Sequence, residues 1–184
     1  FFVTGSKKES NFHVVDSEHR GLAALDAVTA IVIAEGYATA DTLSQALSCP
    51  VVAAFDSGNL LKVAQVLQKK YPQKPIVIAG DDDLTQESIN GKNPGKEKAM
   101  EAAQLVNGAV VLPIFAPGEQ MSQQLSDFND LANKSVLGIE AVKRQVGSVV
   151  GKVSQQAKQD SLLKLQIPIE PKQQEIKQKR ALVR

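Results

Sequence analysis

Short apolar runs of strand length alternate with longer segments of helical period between residues 30 and 112, and this alternation constrains the fold more than any other feature of the chain. Ala30-Ile31-Val32-Ile33-Ala34 is apolar throughout, as a strand covered on both faces must be. A helix over 38–47 then places Ala40, Leu43, Ala46 and Leu47 on one face, and Cys49-Pro50 stops it. A second strand is expected over 51–55. Asn59 is expected to cap the next helix, whose packed stripe is Leu60, Val63, Ala64, Val66 and Leu67, with Lys69 and Lys70 at its C-terminal end. Pro75 introduces a third strand, Ile76-Val77-Ile78-Ala79, which runs into Gly80 and three consecutive aspartates. Residues 84–94 read as a loop, 96–106 as a helix and 109–112 as a fourth strand. The order predicts an α/β fold with a parallel sheet flanked by helices.

Around this core, Phe2-Val3-Thr4 and Phe12-His13-Val14-Val15 flank a Gly/Ser/Lys turn and predict an N-terminal β-hairpin. Residues 125–158 have helical character, and from Ile167 onward Pro168, Pro171 and a Gln/Lys-rich run read as a linker or loosely held helix. The expected divisions are therefore 1–26 (hairpin subdomain), 27–137 (catalytic domain), 138–166 (helical extension) and 167–184 (tail). A start at Phe1 without Met suggests a piece of a longer polypeptide.

Charge is unevenly spread. Residues 1–140 carry 11 Lys/Arg against 17 Asp/Glu, and residues 141–184 carry 10 against 3. An acidic body beside a basic tail suits a carboxylate-lined metal site next to a segment that touches phosphate, although Lys-rich helices are also commonly just solvated. Cys49 is the only cysteine, which excludes an internal disulfide framework and a cysteine-based zinc cluster. A reducing cytoplasm fits. The apolar stretch at 27–34 is far below the ~20 residues of a membrane helix, so no membrane span is expected.

In open parallel sheets, ligands bind beyond the C-terminal ends of the strands. Glu35-Gly36, Asp56-Ser57-Gly58-Asn59 and Asp81-Asp82-Asp83 stand at three such places. Asp81 and Asp83 alternate along an extended chain, so both can point one way while Asp82 points the other. Two carboxylates facing each other in a cleft repel unless a cation lies between them, and oxygen-seeking Mg²⁺ serves well. An exposed acidic loop is the alternative. Glu35 follows a buried strand and could act as general acid or base; it could also cap or salt-bridge the following helix. Asp127-Phe128-Asn129-Asp130 opens a helical segment, where Asp127 is either a cap or, with Asp130, a further pair of oxygen ligands. Lys96 stands at a helix start, where phosphate is attracted, or is simply solvated.

The succession Ile33-Ala34-Glu35-Gly36-Tyr37, Gly58-Asn59-Leu60, Ile78-Ala79-Gly80-Asp81-Asp82-Asp83, Gly95-Lys96 and Asp127-Phe128-Asn129-Asp130-Leu131 resembles the Toprim domain of plasmid and phage-type DNA primases. The likeness runs from about Phe2 to Leu137. It implies a compact Rossmann-like Toprim fold and Mg²⁺-dependent nucleotidyl transfer, with Mn²⁺ as a possible substitute. Glu35 would be the catalytic acid or base and Asp81 and Asp83 metal ligands, with Asp127 and Asp130 matching a further acidic motif. Lys96, Gly58 and Asn59 would meet nucleotide phosphates. Single-stranded DNA and ribonucleoside triphosphates would be the substrates, with a helicase or relaxase portion in the same polypeptide. Two positions depart from the pattern: Thr39 stands where bacterial primases place an acid four residues after the Glu, and the Gly that normally follows the paired aspartates is delayed to Gly95. These departures favour a plasmid-borne primase attached to conjugation functions.

Two other functions are compatible with these residues. One is a non-catalytic Toprim-like domain of a relaxase or mobilisation protein that binds DNA or protein. The other is a haloacid-dehalogenase-like phosphatase, because Asp81-Asp82-Asp83-Leu84-Thr85 fits that nucleophile motif; there, however, the motif normally ends the first core strand, and here two strand-helix units precede it.

Overall fold

A computed structural model describes residues 9–166 of the chain. β1 (His13–Val15) and a short 3-10 helix (Gly21–Asp26) precede the alternating core. That core is β2 (Ile31–Ala34), α1 (Tyr37–Leu47), β3 (Val51–Ala53), α2 (Ser57–Lys70), β4 (Ile76–Ala79), α3 (Leu84–Asn90), α4 (Pro94–Leu105) and β5 (Ala109–Val111). α5 (Glu119–Gln123), α6 (Phe128–Asn133) and α7 (Gly138–Gln166) follow.

The expected α/β class is the observed one. Five strands lie in the order β1-β3-β2-β4-β5, all parallel except β1, which runs antiparallel along β3 at the edge. Side chains alternate through the sheet. Val32, Ala34, Val77 and Ala79 face a core closed by α1, α6 and the first half of α7, while Ile31, Ile33, Ile76 and Ile78 face one closed by α2 and α4. Ala141, Val142 and Val146 bring α7 into the first of these cores, whereas Leu162 and Leu163 near its far end are exposed.

The strand ends are level. Ala34 is in register with Ala53 on one side and with Ala79 on the other, so the segments leaving β2, β3 and β4 start from one height. β3 lies on one side of β2 and β4 on the other, which makes the end of β2 the point where the winding of the sheet reverses and a crevice opens.

Several local expectations need correction. Residues 84–94 are not simply a loop, because α3 occupies seven of them. None of its residues is buried, so it has no apolar stripe from which periodicity could reveal it. Asn59 does not cap α2: Asp56, three residues earlier, accepts the Asn59 backbone N–H at 2.9 Å, and a carboxylate at that position takes the capping role. α4 starts at Pro94 rather than at residue 96, with Asn93 as its cap. Of the predicted hairpin, the second arm forms β1 on the main sheet, and Phe2-Val3-Thr4 lies outside the described residues. The tail 167–184 lies outside them as well.

Candidate active site

Glu35 leaves β2 at the reversal point, half-buried. It neither caps α1, where Gly36 holds the cap position, nor pairs with a cation among the described residues. Its carboxylate instead accepts the backbone N–H of Ser57, the first residue of α2. Burial raises its pKa above the ordinary glutamate value, and the nearby charges of Asp83, Asp56 and Asp127 add to this against the lowering effect of the Ser57 N–H. The chain reaches Ser57 through Phe55, whose φ of 73° is unusual for an aromatic residue. That turn brings Asp56 to its capping position and the start of α2 to Glu35.

The three aspartates after β4 do not continue as extended chain: Asp83 sits in a tight turn (φ −78°, ψ 54°) closed by the Leu84 N–H on the Asp82 carbonyl at 2.9 Å. Asp82 turns away, accepting the Asn93 amide at 2.7 Å and the Gln120 amide at 3.1 Å. Asp83 accepts the Gly95 backbone N–H at 3.3 Å, at the N-terminal end of α4. Asp81 is the outlier: its Oδ1 is buried and has no hydrogen-bond partner. Burial first, then the charges of Glu35, Asp127, Asp83 and Asp130, push its carboxyl up to about 8.

The delayed glycine returns in space to this pair. A Cβ on Gly95 would lie 3.0 Å from the Asp81 Cβ and carbonyl oxygen and 3.1 Å from Asp83 Oδ2. α3 and its flanks are thus an excursion after which Gly95 closes on the aspartates. Gly80 lets the same helix approach the strand exit, since a Cβ there would meet the Ala99 Cβ at 2.4 Å.

The other predicted residues divide. Asp127 and Asp130 stand close enough to bias Asp81, yet each of their oxygens already has a partner. Asp127 caps α6 through the Asp130 N–H at 2.7 Å and accepts the Thr39 hydroxyl at 2.9 Å. Asp130 accepts the Ser126 N–H at 3.0 Å and pairs with Lys134 at 2.7 Å. Lys96 lies in the first turn of α4, with its Nζ 3.9 Å from Glu87. Gly58 is exposed in the first turn of α2. Asn59 is buried beneath that turn, and both protons of its amide are spent, on the carbonyls of Asn11 and Ala54. It therefore has no donor left for a phosphate, which corrects the expectation placed on it.

Sequence reasoning missed Asn93. It caps α4 through the Lys96 N–H, accepts the Asp83 N–H at 3.0 Å, and donates to Asp82 and to Glu87 at 2.8 Å. The signal was present as Asn93-Pro94, a capping residue followed by proline at the first helical position.

Would these residues suit a divalent cation? The unpartnered Asp81 Oδ1, buried among four other carboxylates, is the feature a cation would resolve. Among the described residues, no group of three or more His, Cys, Asp or Glu is arranged to hold a metal ion by itself. The donor set fits an ion held by one or two carboxylates with water and substrate oxygens, the habit of Mg²⁺.

The sequence profile of the Toprim domain matches residues 30–136, more than half of the chain. The chain belongs to the Toprim family. Toprim domains bind divalent metal ions, generally Mg²⁺. An Escherichia coli protein named DNA primase TraC is 41% identical over an alignment of 208 residues, covering 83% of this chain and 19% of the relative. A second DNA primase TraC from Escherichia coli is 38% identical over 214 residues, covering 86% and 14%. The chain thus spans less than a fifth of the length of these curated relatives. No solved structure matches it. Membership of the Toprim family displaces the phosphatase alternative. Among the described residues, no helix is long and apolar enough to cross a membrane.

Proposed function

We propose that this chain is the Toprim unit of a plasmid-type DNA primase, joining ribonucleotides into primers on single-stranded DNA. The observation that carries this reading is the buried, unpartnered Oδ1 of Asp81 among Glu35, Asp83, Asp127 and Asp130. The names of the two relatives support the activity.

In this reading Asp81 and Asp83 hold Mg²⁺, for which Mn²⁺ substitutes. The bound cation supplies charge stabilisation at the phosphoryl oxygens and a template for triphosphate and 3′-hydroxyl. Asp83 is held in place for this by the Gly95 N–H. Glu35, oriented by the Ser57 N–H and raised in pKa by burial, takes the proton of the attacking hydroxyl. Lys96 and the first turn of α4 meet a triphosphate oxygen once the long contact to Glu87 is released. Asp127 and Asp130 contribute negative charge near Asp81 and become ligands of a second ion only by exchanging their present partners. The catalytic unit is residues 27–137, with residues 1–26, which add β1 to its sheet, before it and the helix of 138–166 and the basic tail after it. The longer polypeptide works in the cytoplasm in plasmid transfer or replication, and carries a helicase or relaxase portion beside this one.

Primer synthesis on single-stranded DNA tests the reading. Glu35→Gln and Asp81→Asn each lower the rate by about 10²–10⁴-fold while leaving DNA affinity in place. Full activity in both variants would leave a Toprim-like domain of a relaxase or mobilisation protein that binds DNA or protein without turnover.

A further inference from the structure

Tyr37 is the first residue of α1, two residues after Glu35, and it is 52% exposed. Its hydroxyl makes no hydrogen bond among the described residues, so neither burial nor a polar partner explains an aromatic side chain here. The His13 ring stands 5.7 Å away, tilted by 40° rather than stacked. His13 is brought there by β1, whose register pairs it with Ala53 at the level of the strand ends. Both residues line a cavity of about 510 Å³ that also takes in Asp41 and Gln45 of α1 and reaches Ser48, Cys49 and Pro50. That volume falls within the ~300–1,000 Å³ of small-molecule sites.

The chemistry of the walls selects the occupant. Among the described residues, Arg20 is the only Lys or Arg lining the cavity, and it is already paired with Asp16 at 3.3 Å and Glu18 at 3.0 Å. With Asp41 also present, the cavity offers no surplus positive charge to a phosphate. It offers instead an aromatic pair beside the amide and carboxylate of Gln45 and Asp41, which are joined at 2.9 Å and exposed enough to exchange that bond for the edge of a base. Aromatic faces with an adjacent donor and acceptor are what an unpaired nucleobase stacks on and is read by.

We infer that Tyr37 and His13 form a stacking platform for an unpaired nucleobase at the mouth of the groove along α1, next to Glu35. The inference rests on the nucleotide-joining reading and adds to it a residue pair that binds the base rather than the phosphate. The base belongs either to the template strand or to the incoming ribonucleotide. In both cases it is held on the β1 side of the acidic site.

The chain has no Trp and two Tyr, Tyr37 and Tyr71, so Tyr71→Phe leaves Tyr37 as the only strong intrinsic fluorophore. In that background, oligo(dT) or a ribonucleoside triphosphate quenches the emission on binding. Affinities by anisotropy then separate the sources. Tyr37→Ala weakens binding by about 5- to 150-fold, and Tyr37→Phe restores it to within about twofold. Loss with oligo(dT), but not with an oligonucleotide carrying abasic positions, assigns the base to the template; loss with the triphosphate alone assigns it to the incoming nucleotide. Unchanged affinity for both in Tyr37→Ala, with wild-type binding intact, overturns the platform and leaves the primase reading standing. Failure of the wild-type chain to bind either ligand overturns both.

Discussion

The Thr39 hydroxyl donates to Asp127 at 2.9 Å, from a side chain that is only 2% exposed. Four residues after Glu35, this chain has a neutral donor that ties α1 to the cap of α6. A carboxylate there would face Asp127 with like charge. Thr39→Val removes the donor and leaves one Asp127 oxygen with an unmet bond, at a cost of about 1–3 kcal/mol. The expected fall in Tm is about 2–10 °C by calorimetry. An unchanged Tm would show that water replaces the hydroxyl without loss.

The metal-free protein should become less stable as pH rises. Burial and the neighbouring carboxylates push the Asp81 carboxyl up from the ordinary 3.8 to about 8 in the folded chain. Between these values the folded state holds a proton that the unfolded state has released, so stability falls with increasing pH across that window. In EDTA, the Tm of the wild-type chain is expected to drop between pH 5 and pH 8.5, with a shallower slope in Asp81→Asn. The variant should be the more stable protein above pH 8. Parallel slopes would assign the pH dependence to other groups.

Gly80→Ala places a methyl 2.4 Å from the Ala99 Cβ and 3.1 Å from Leu112. α4 must then move, and with it Gly95, whose N–H holds Asp83. Denaturant titration should show a loss of about 1–3 kcal/mol. Primer synthesis should fall even where the variant remains folded. Gly151→Ala is the contrasting control: it lies in α7 with nothing within 4 Å of the added methyl, and a gain of about 0.5–1 kcal/mol is expected.

Asn59→Ala tests whether that residue is structural. Its amide ties Asn11 and Ala54 to α2, and its oxygen accepts the Ser10 N–H at 2.8 Å. The substitution should speed hydrogen exchange at Ser10 by ten-fold or more and lower stability by about 1–3 kcal/mol. Triphosphate affinity should not change. A selective loss of that affinity would return Asn59 to the phosphate site.

Much of this architecture was legible because the strands are buried on both faces. Ile31–Ala34 and Ile76–Ala79 are unbroken apolar runs, and the helices that cover them carry one-sided stripes. Glu35, Asp81 and Asp83 were legible as strand-end acids, since register places those ends side by side. What stayed hidden lacks a periodic or apolar signature. α3 buries no residue, and the competition between Asp56 and Asn59 for the cap of α2 is decided by a backbone turn at Phe55 that no pattern records. The convergence of Gly95 on Asp81 depends on the chain returning after an excursion of a dozen residues, which sequence spacing alone conceals.

Crystals soaked in millimolar Mn²⁺ show whether Asp81 and Asp83 hold a divalent cation. The account predicts an anomalous peak at about 2.0–2.3 Å from Asp81 Oδ1, shared with Asp83 and absent in Asp81→Asn crystals. No peak at that position, or a peak held by other acids and indifferent to Asp81→Asn, would contradict it.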